Sequence, residues 1–379
     1  MRVIYWGTYD LARPRNKINI RGLRSQGVDV IECHQDAWEG TTDKSGISGI
    51  VAWLKVAKRF VAAYAVLVYR YLRQPRHELV VVGYLGLIDL FVIWPWAKLR
   101  GKPVVWDALM SLYNTLIIDR SMAPENSVPA RLVFLAEWVA CRLSDRILVT
   151  TEERRKDFCA RYGIPDRKVI AVTVGAEAEH FPPRQTPPPG NESNNELRIL
   201  FYGNFTPLHG VATIVRAAKM AAGRPYSWTL IGKGRTADEV RALLSEAPQI
   251  KLDWLEWVEY EDLHRYIHQA DIGLGIFGGS RKATETIPNK VYQVLATGTP
   301  LITRDSPAMR ELIPENGSPG VYLVPPGDPA AILAALDEFA AQRVHLSALP
   351  LHTGLNRKVQ DSIGGKVLHT ALQKLTGKG

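Results

Sequence analysis

The sequence predicts an α/β protein of two domains, each a parallel sheet wrapped by helices. Short apolar runs that suit buried strands alternate with longer stretches of helical periodicity along most of the chain, the pattern of repeated βα units. The 379 residues are enough for two cores of ordinary size. Between Pro182 and Asn195 five prolines sit among polar residues, a composition that suits a connection rather than an element. The expected organisation is therefore a first domain over 1–183, a linker over 184–196, a second domain over 197–350 and a helical tail over 351–379.

In chain order, Val3 to Trp6 is an apolar strand that ends at Gly7. A helix around Lys17 to Gln26 follows, then a strand from Val28 to Ile31, which opens a βαβ unit. Gly7 thus stands at the turn where α/β sheets bind ligands, although a plain tight turn fits it equally. Ile50 to Arg76 has helical periodicity. At about 100° per residue, Lys55, Lys58, Arg59, Arg70, Arg73 and Arg76 fall within about 60° of one direction. Trp53, Phe60, Tyr64, Leu67 and Tyr71 fall opposite. Such a helix packs its aromatic face in the domain and turns its basic rim to solvent or to an anionic bilayer. Leu79 to Val82, Pro103 to Trp106 and Asp145 to Thr150 suit strands. Gly86 to Leu99, Arg131 to Leu143 and a segment capped by Thr151 suit helices. Asp107, Ser111 and Asn114 follow the Pro103 strand, where these folds place their chemistry, but helix capping explains Asp107 as well.

Composition narrows the class of partner. Apolar content of 46% and charged content of 22% are those of a folded soluble protein. A net charge of +9 points to an acidic partner: nucleic acid, an anionic membrane or a diphosphate-bearing substrate. No nucleic-acid motif accompanies the basic face. Cys33, Cys141 and Cys159 lack metal or redox spacing and suit reduced core thiols. Ten tryptophans can line a sugar or lipid site, although core packing is the commoner use. The amino terminus has no leader pattern, and no stretch of eighteen uncharged apolar residues occurs. The expected location is the cytoplasm, peripheral on the inner face of the membrane.

Chemistry concentrates between Phe277 and Ile302. Gly278 and Gly279 free a loop that carries Arg281 and Lys282. Pro288 and Asn289 start a helix, with either Asn289 as the cap or Pro288 in the first turn. Val291, Val294 and Leu295 make its inward stripe, whereas Lys290, Gln293 and Thr297 share another face. A helix N-terminus behind a glycine loop with basic residues suits a diphosphate, and Glu285 just upstream suits sugar hydroxyls. Two earlier turns follow strands: Gly203-Asn204 through His209-Gly210, and Gly232-Lys233-Gly234. His264 and His268 share a helix face, but no third metal ligand accompanies them, so no metal is expected.

Glu285, seven residues, Gln293 and then LATGTPLI resemble the Glu-x7-Glu signature of retaining GT-B glycosyltransferases, family four in particular, with glutamine in the second place. Pro288, Asn289, Lys290, Leu295, Ala296, Gly298 and Pro300 match a form common among relatives, and the likeness is close from Leu197 to Leu312. It implies two Rossmann-like domains facing across a cleft, with the last helix returning to the first. It further implies that Glu285 lies beside the donor sugar, Gln293 meets the ribose, and backbone at Trp257 and Val258 meets the base. Asn204 and His209 stand where the family carries an arginine and a lysine for the diphosphate; Lys233, Arg281, Lys282 and Lys290 can compensate. LRGKPVVWD resembles the approach to the cleft, which makes Asp107 a candidate catalytic residue.

The function so implied is retaining, metal-independent transfer of a hexosyl group from a UDP- or GDP-linked sugar to an acceptor hydroxyl. The donor is a substrate, and no cofactor is expected. The acceptor would be a carbohydrate or lipid-linked, with an anionic membrane surface as a further partner and no nucleic acid. A nucleotide-sugar epimerase or phosphorylase and a non-catalytic nucleotide-sugar-binding protein are the alternatives.

Overall fold

The structure is a computed structural model that describes residues 1–10, 14–36, 50–184, 196–246, 249–347, 355, 358–359 and 361–377. Most of the proline-rich stretch, 185–195, lies outside the described residues, as does the side chain of Trp53. The chain forms two compact units, Met1–Val174 with Asp361–Gly379, and Gly175–Gln360. The second unit begins at Gly175, ahead of the proline-rich stretch.

The first unit is a six-stranded parallel sheet of order β2-β1-β3-β4-β5-β6. Its strands are β1 (Arg2–Gly7), β2 (Asp29–His34), β3 (Leu79–Val82), β4 (Val104–Leu109), β5 (Arg146–Val149) and β6 (Val169–Ala171). Alternation along the strands sends Ile4, Trp6, Val80, Val82, Val104 and Trp106 to one face. There they meet α2 (Ile50–Leu72), α3 (Leu87–Leu99), α4 (Val128–Leu143) and α5 (Glu152–Tyr162). Val3, Tyr5, Leu79, Val81, Val105 and Leu148 face the other way, against α1 (Pro14–Ser25) and the last helix, α13 (Asp361–Thr376). The returning tail is thus part of the first unit's core, through the fully buried Leu368 and Leu372. Its backbone closely approaches α1: a side chain on Gly365 would fall 2.3 Å from the Gly22 carbonyl oxygen.

The second unit is also a six-stranded parallel sheet, of order β12-β11-β10-β7-β8-β9. It comprises β7 (Leu197–Tyr202), β8 (Tyr226–Ile231), β9 (Leu252–Leu255), β10 (Ile272–Leu274), β11 (Leu301–Arg304) and β12 (Val321–Val324). Between the strands run α6 (Val211–Met220), α7 (Ala237–Ser245), α8 (Leu263–Gln269), α9 (Arg281–Thr284), α10 (Asn289–Ala296) and α11 (Pro307–Leu312), with α12 (Pro329–Ser347) after β12. The strand order reverses between β7 and β10, so the loops after these two strands leave the sheet side by side and in opposite directions. Open α/β sheets bind their ligands at such a switch point.

Candidate functional site

The loops after β7, β8 and β10 meet at that switch point because glycines let their backbones touch. Gly203 and Gly232 follow β7 and β8 with φ of 132° and 144°, and a side chain on Gly232 would fall 2.1 Å from the Gly203 carbonyl oxygen. On Gly278, after β10, a side chain would fall 2.1 Å from the Pro207 carbonyl oxygen. Across this contact Phe277 N–H donates to the His209 carbonyl (3.1 Å) and Gly278 N–H to the Leu208 carbonyl (3.2 Å). Gly210 adopts a left-handed conformation as the N-cap of α6.

Two helices begin here without side-chain caps: α6 behind Gly210, and α10 behind Pro288. Their first N–H groups leave partial positive charge at the ends of the strands. Pro288 is itself the N-cap and Asn289 the first helical residue, which corrects both starts expected from sequence; Asn289 is exposed. Lys290, in the first turn, places a buried amino group at the site. The residue is 4% exposed, and its Nζ lies 3.6 Å from the centre of the Phe201 ring without a hydrogen-bond partner among the described residues. A side chain built on Gly203 would meet Lys290 Nζ at 3.1 Å and His209 Cε1 at 3.3 Å, so the two residues converge on one turn. Burial alone holds the Lys290 ammonium well below its usual pKa. Burial and Lys290 push the His209 imidazole down to about 3, so it is neutral, with Nδ1 bonded to the Asn204 carbonyl.

Glu285 ends α9 and is largely covered, with its carboxylate accepting from Arg281 Nε at 3.0 Å. Arg281 itself is mostly open to solvent, and Lys282 is half-buried. The segment between Gly278 and Glu285 is fixed from below by the buried Arg304, which donates to the Gly278 carbonyl and, at 3.4 Å, to Thr284 Oγ1. Into the loop that the sequence suggests ahead of Pro288 the structure inserts a helical turn capped by Ser280, whose Oγ accepts from Ala283 N–H.

Gln293 is only 6% exposed and is spent on protein partners. Its Oε1 accepts from Tyr202 at 3.0 Å and its Nε2 donates to Tyr260 at 3.5 Å. Tyr260 in turn donates to Glu177 Oε2 at 2.7 Å, while Glu177 Oε1 is buried without a hydrogen-bond partner among the described residues. The carboxylate missing at 293 is therefore present close by, on a residue far away in sequence. Trp257 projects, 67% exposed, and its Nε1 donates to Glu259 at 3.3 Å; Val258 is half-buried and Lys233 exposed. Nothing in the spacing of Tyr202, Tyr260, Glu177 and Arg304 along the sequence relates them to α10.

Residues 196–342 match the family model described as glycosyl transferases group 1. The chain thus carries that family's likeness within its second unit. It is similar to the probable glycosyltransferase WbjE of Pseudomonas aeruginosa, 24% identical over 247 residues that make up 60% of each chain. To the amylovoran biosynthesis glycosyltransferase AmsK of Erwinia amylovora it is 26% identical over 180 residues, 46% of this chain and 42% of that one. The chain spans about half the length of these two curated relatives. Among solved structures, Anabaena HepE in complex with UDP superposes with a TM-score of 0.67 at 11% identity, covering 98% of this chain and 99% of HepE. That likeness shows the fold, which is GT-B.

The group 1 match lies in the second unit; in the first unit the sheet and returning helix are as the resemblance implied, but the candidate Asp107 is not. Asp107 is no strand-end carboxylate. β4 continues through Leu109, and Asp107 is 0% exposed within it. Arg15 grips both its oxygens, Nε to Oδ2 at 2.9 Å and Nη2 to Oδ1 at 3.1 Å, and Asn19 donates to Oδ2 at 2.7 Å. The carboxylate ties α1 to the sheet and is closed to a ligand. Ser111 donates to the buried Glu137 (2.8 Å) and Asn114 to Asp157 (2.9 Å), so both brace loops. Gly7 ends β1 where a side chain would strike Asp89 Oδ2 at 2.5 Å. Asp89, whose pKa burial raises, accepts from Thr8 N–H (3.0 Å), Thr8 Oγ1 (2.9 Å) and Tyr64 (2.8 Å). On α2, Lys55, Lys58, Arg59 and Arg70 are exposed, as is Arg73 just past its end, and Tyr64, Leu67 and Tyr71 join the core.

Among the described residues, no group of three or more histidines, cysteines or acids is placed to hold a metal. The rings of His264 and His268 are 5.9 Å apart and bond to the Glu261 carbonyl (2.7 Å) and Pro182 carbonyl (3.0 Å) respectively.

Proposed function

We propose that this protein transfers a hexosyl group from a UDP- or GDP-linked sugar to an acceptor hydroxyl, with retention, in the assembly of a polysaccharide, glycan or glycolipid. The observation that carries the reading is the meeting of two uncapped helix N-termini and one buried lysine at the switch point of the second unit. That is the charge environment a departing diphosphate needs. The sugar's C1–oxygen bond breaks as the acceptor oxygen bonds C1, and the diphosphate keeps the electron pair. Donors already fixed around that oxygen stabilise it without reorganising, and helix amides with Lys290 do this without a metal. Glu285 accepts from sugar hydroxyls and holds C1 in place. Trp257 and Val258 border the base.

HepE has been crystallised with UDP and with UDP-glucose, which supports a uridine donor, and the part of AmsK in amylovoran biosynthesis supports polysaccharide assembly. The acceptor role falls to the first unit. Its α2 offers four exposed cations, and Arg73 a fifth just past its end, with Val61, Tyr69 and Leu72 exposed among them, a surface for an anionic bilayer that carries a lipid-linked acceptor. No described helix is long and apolar enough to cross a membrane.

The test is a thermal-shift screen of nucleotide diphospho-sugars on the full chain, followed by product analysis with candidate acceptors. UDP- or GDP-sugars should raise the melting temperature. Glu285→Gln should cut transfer by about 100-fold while the protein still binds the free nucleotide diphosphate. Binding with no transfer to any acceptor would instead establish a non-catalytic protein.

A further inference from the structure

We propose that donor binding is coupled to protonation of Lys290: the diphosphate and one proton enter the site together, and the ammonium then serves as the counter-charge. This rests on the reading of the second unit as a nucleotide-sugar site.

The geometry carries it. Lys290 Nζ is enclosed, with the Phe201 ring at 3.6 Å, the Tyr202 ring at 6.0 Å and the Gly203 turn alongside. The titratable groups that face it are His209 on the β7–α6 loop and Tyr202 on β7, whose hydroxyl donates to the Lys290 carbonyl at 3.3 Å and to Gln293. Neither supplies negative charge. His209 is neutral, and Tyr202 is buried with its pKa raised. Among the described residues no carboxylate hydrogen-bonds Nζ. Aromatic quadrupoles favour a cation weakly, by less than desolvation opposes it. The free protein therefore stabilises the amine, in keeping with a pKa well below the usual lysine range and desolvation as its cause. A bound diphosphate reverses the balance, because an adjacent anion stabilises the ammonium.

The sign follows. Between the pKa of the free site and that of the complex, binding takes up a proton, so affinity weakens as pH rises, by at most about tenfold per unit.

The experiment is calorimetry of the full chain with UDP-glucose and GDP-mannose, whose diester phosphates do not titrate near neutral pH, in two buffers of different protonation enthalpy. The expected result is uptake approaching one proton per donor bound. Affinity is then followed by equilibrium dialysis from about pH 6 to 9 for the wild type, Lys290→Met and His209→Gln. Lys290→Met should bind about 100-fold more weakly with a flat profile, and His209→Gln should keep the slope. Lys290→Met should also melt at a higher temperature than the wild type, an outcome a merely structural lysine would not give. Tight, buffer-independent binding by the wild type, or a slope that survives Lys290→Met, overturns the coupling and leaves the donor site standing. Failure of both nucleotide sugars to bind the wild type overturns the donor site and the coupling with it.

Discussion

Two buried ionisable side chains illustrate how similar burial serves opposite ends. Asp107 is buried with partners on both oxygens, so it stabilises the first unit only while Arg15 is there to meet it. Asp107→Ala should cost about 3–5 kcal/mol in denaturant unfolding of the first unit, because it strands a buried guanidinium. A selective loss of kcat at unchanged stability would contradict this. Lys290 is buried without a partner, so it destabilises the free fold. Lys290→Met should raise stability by about 1–3 kcal/mol. The pH dependence has a definite sign. The folded chain binds fewer protons at Lys290 than the unfolded chain does, so this lysine makes wild-type stability rise with pH through the window up to the ordinary lysine pKa. Lys290→Met should remove that part of the slope, as read by melts across pH. The sequence marks both residues, Asp107 as a candidate catalytic residue and Lys290 as a candidate donor ligand. Their burial could not be seen there, because it depends on Arg15 and Phe201, each about ninety positions away in the chain.

The loops of the second unit hold the site at the level of the element. Gly278 admits no side chain, since the new carbon would lie 2.1 Å from one backbone oxygen and 2.5 Å from another. Gly278→Ala should therefore force the β7–α6 and β10–α9 loops apart, destabilising the second unit by about 1–3 kcal/mol or more and weakening donor binding. Thermal melts with and without UDP-glucose separate the two effects. Tyr260 joins Glu177 to Gln293 across 83 and 33 residues of sequence. Tyr260→Phe should leave a second Glu177 oxygen without its donor, lowering stability by about 1–3 kcal/mol. These glycine turns were legible in sequence, as were the βα periodicity and the α10 stripe, because each is local. The cap position at Pro288 and the helical turn at Arg281–Thr284 were not, since a one-residue choice of start or a single added turn changes local propensity very little.

Across the whole molecule, the tail decides the first unit's stability. α13 lies on α1 through the Gly22–Gly365 approach and contributes Leu368 and Leu372 to the core beneath β1, β3 and β4. Deleting 361–379 should uncover Ile20, Leu23 and Val105 and leave the first unit aggregation-prone, seen as early loss of its unfolding transition. At the same scale, the exposed cations of α2 should bring the protein up with anionic vesicles in flotation and leave it down with neutral ones. Exchange of Lys55, Lys58 and Arg59 for serine should abolish the difference.

What the sequence by itself determined is everything that nearest neighbours along the chain enforce: the α/β class, most strands and helices, the glycine turns and the Glu285–Gln293 segment with its family likeness. What only the tertiary structure decided is which of those charged and polar groups meet. Asp107 found Arg15, Gln293 was taken by two tyrosines, Glu177 brought a carboxylate beside them, and Lys290 was left alone. Periodicity reports which face of an element is apolar, but the partner of a buried charge is set by the packing of elements far apart in sequence. The free energy of that charge depends on the partner more than on its own surroundings in the chain.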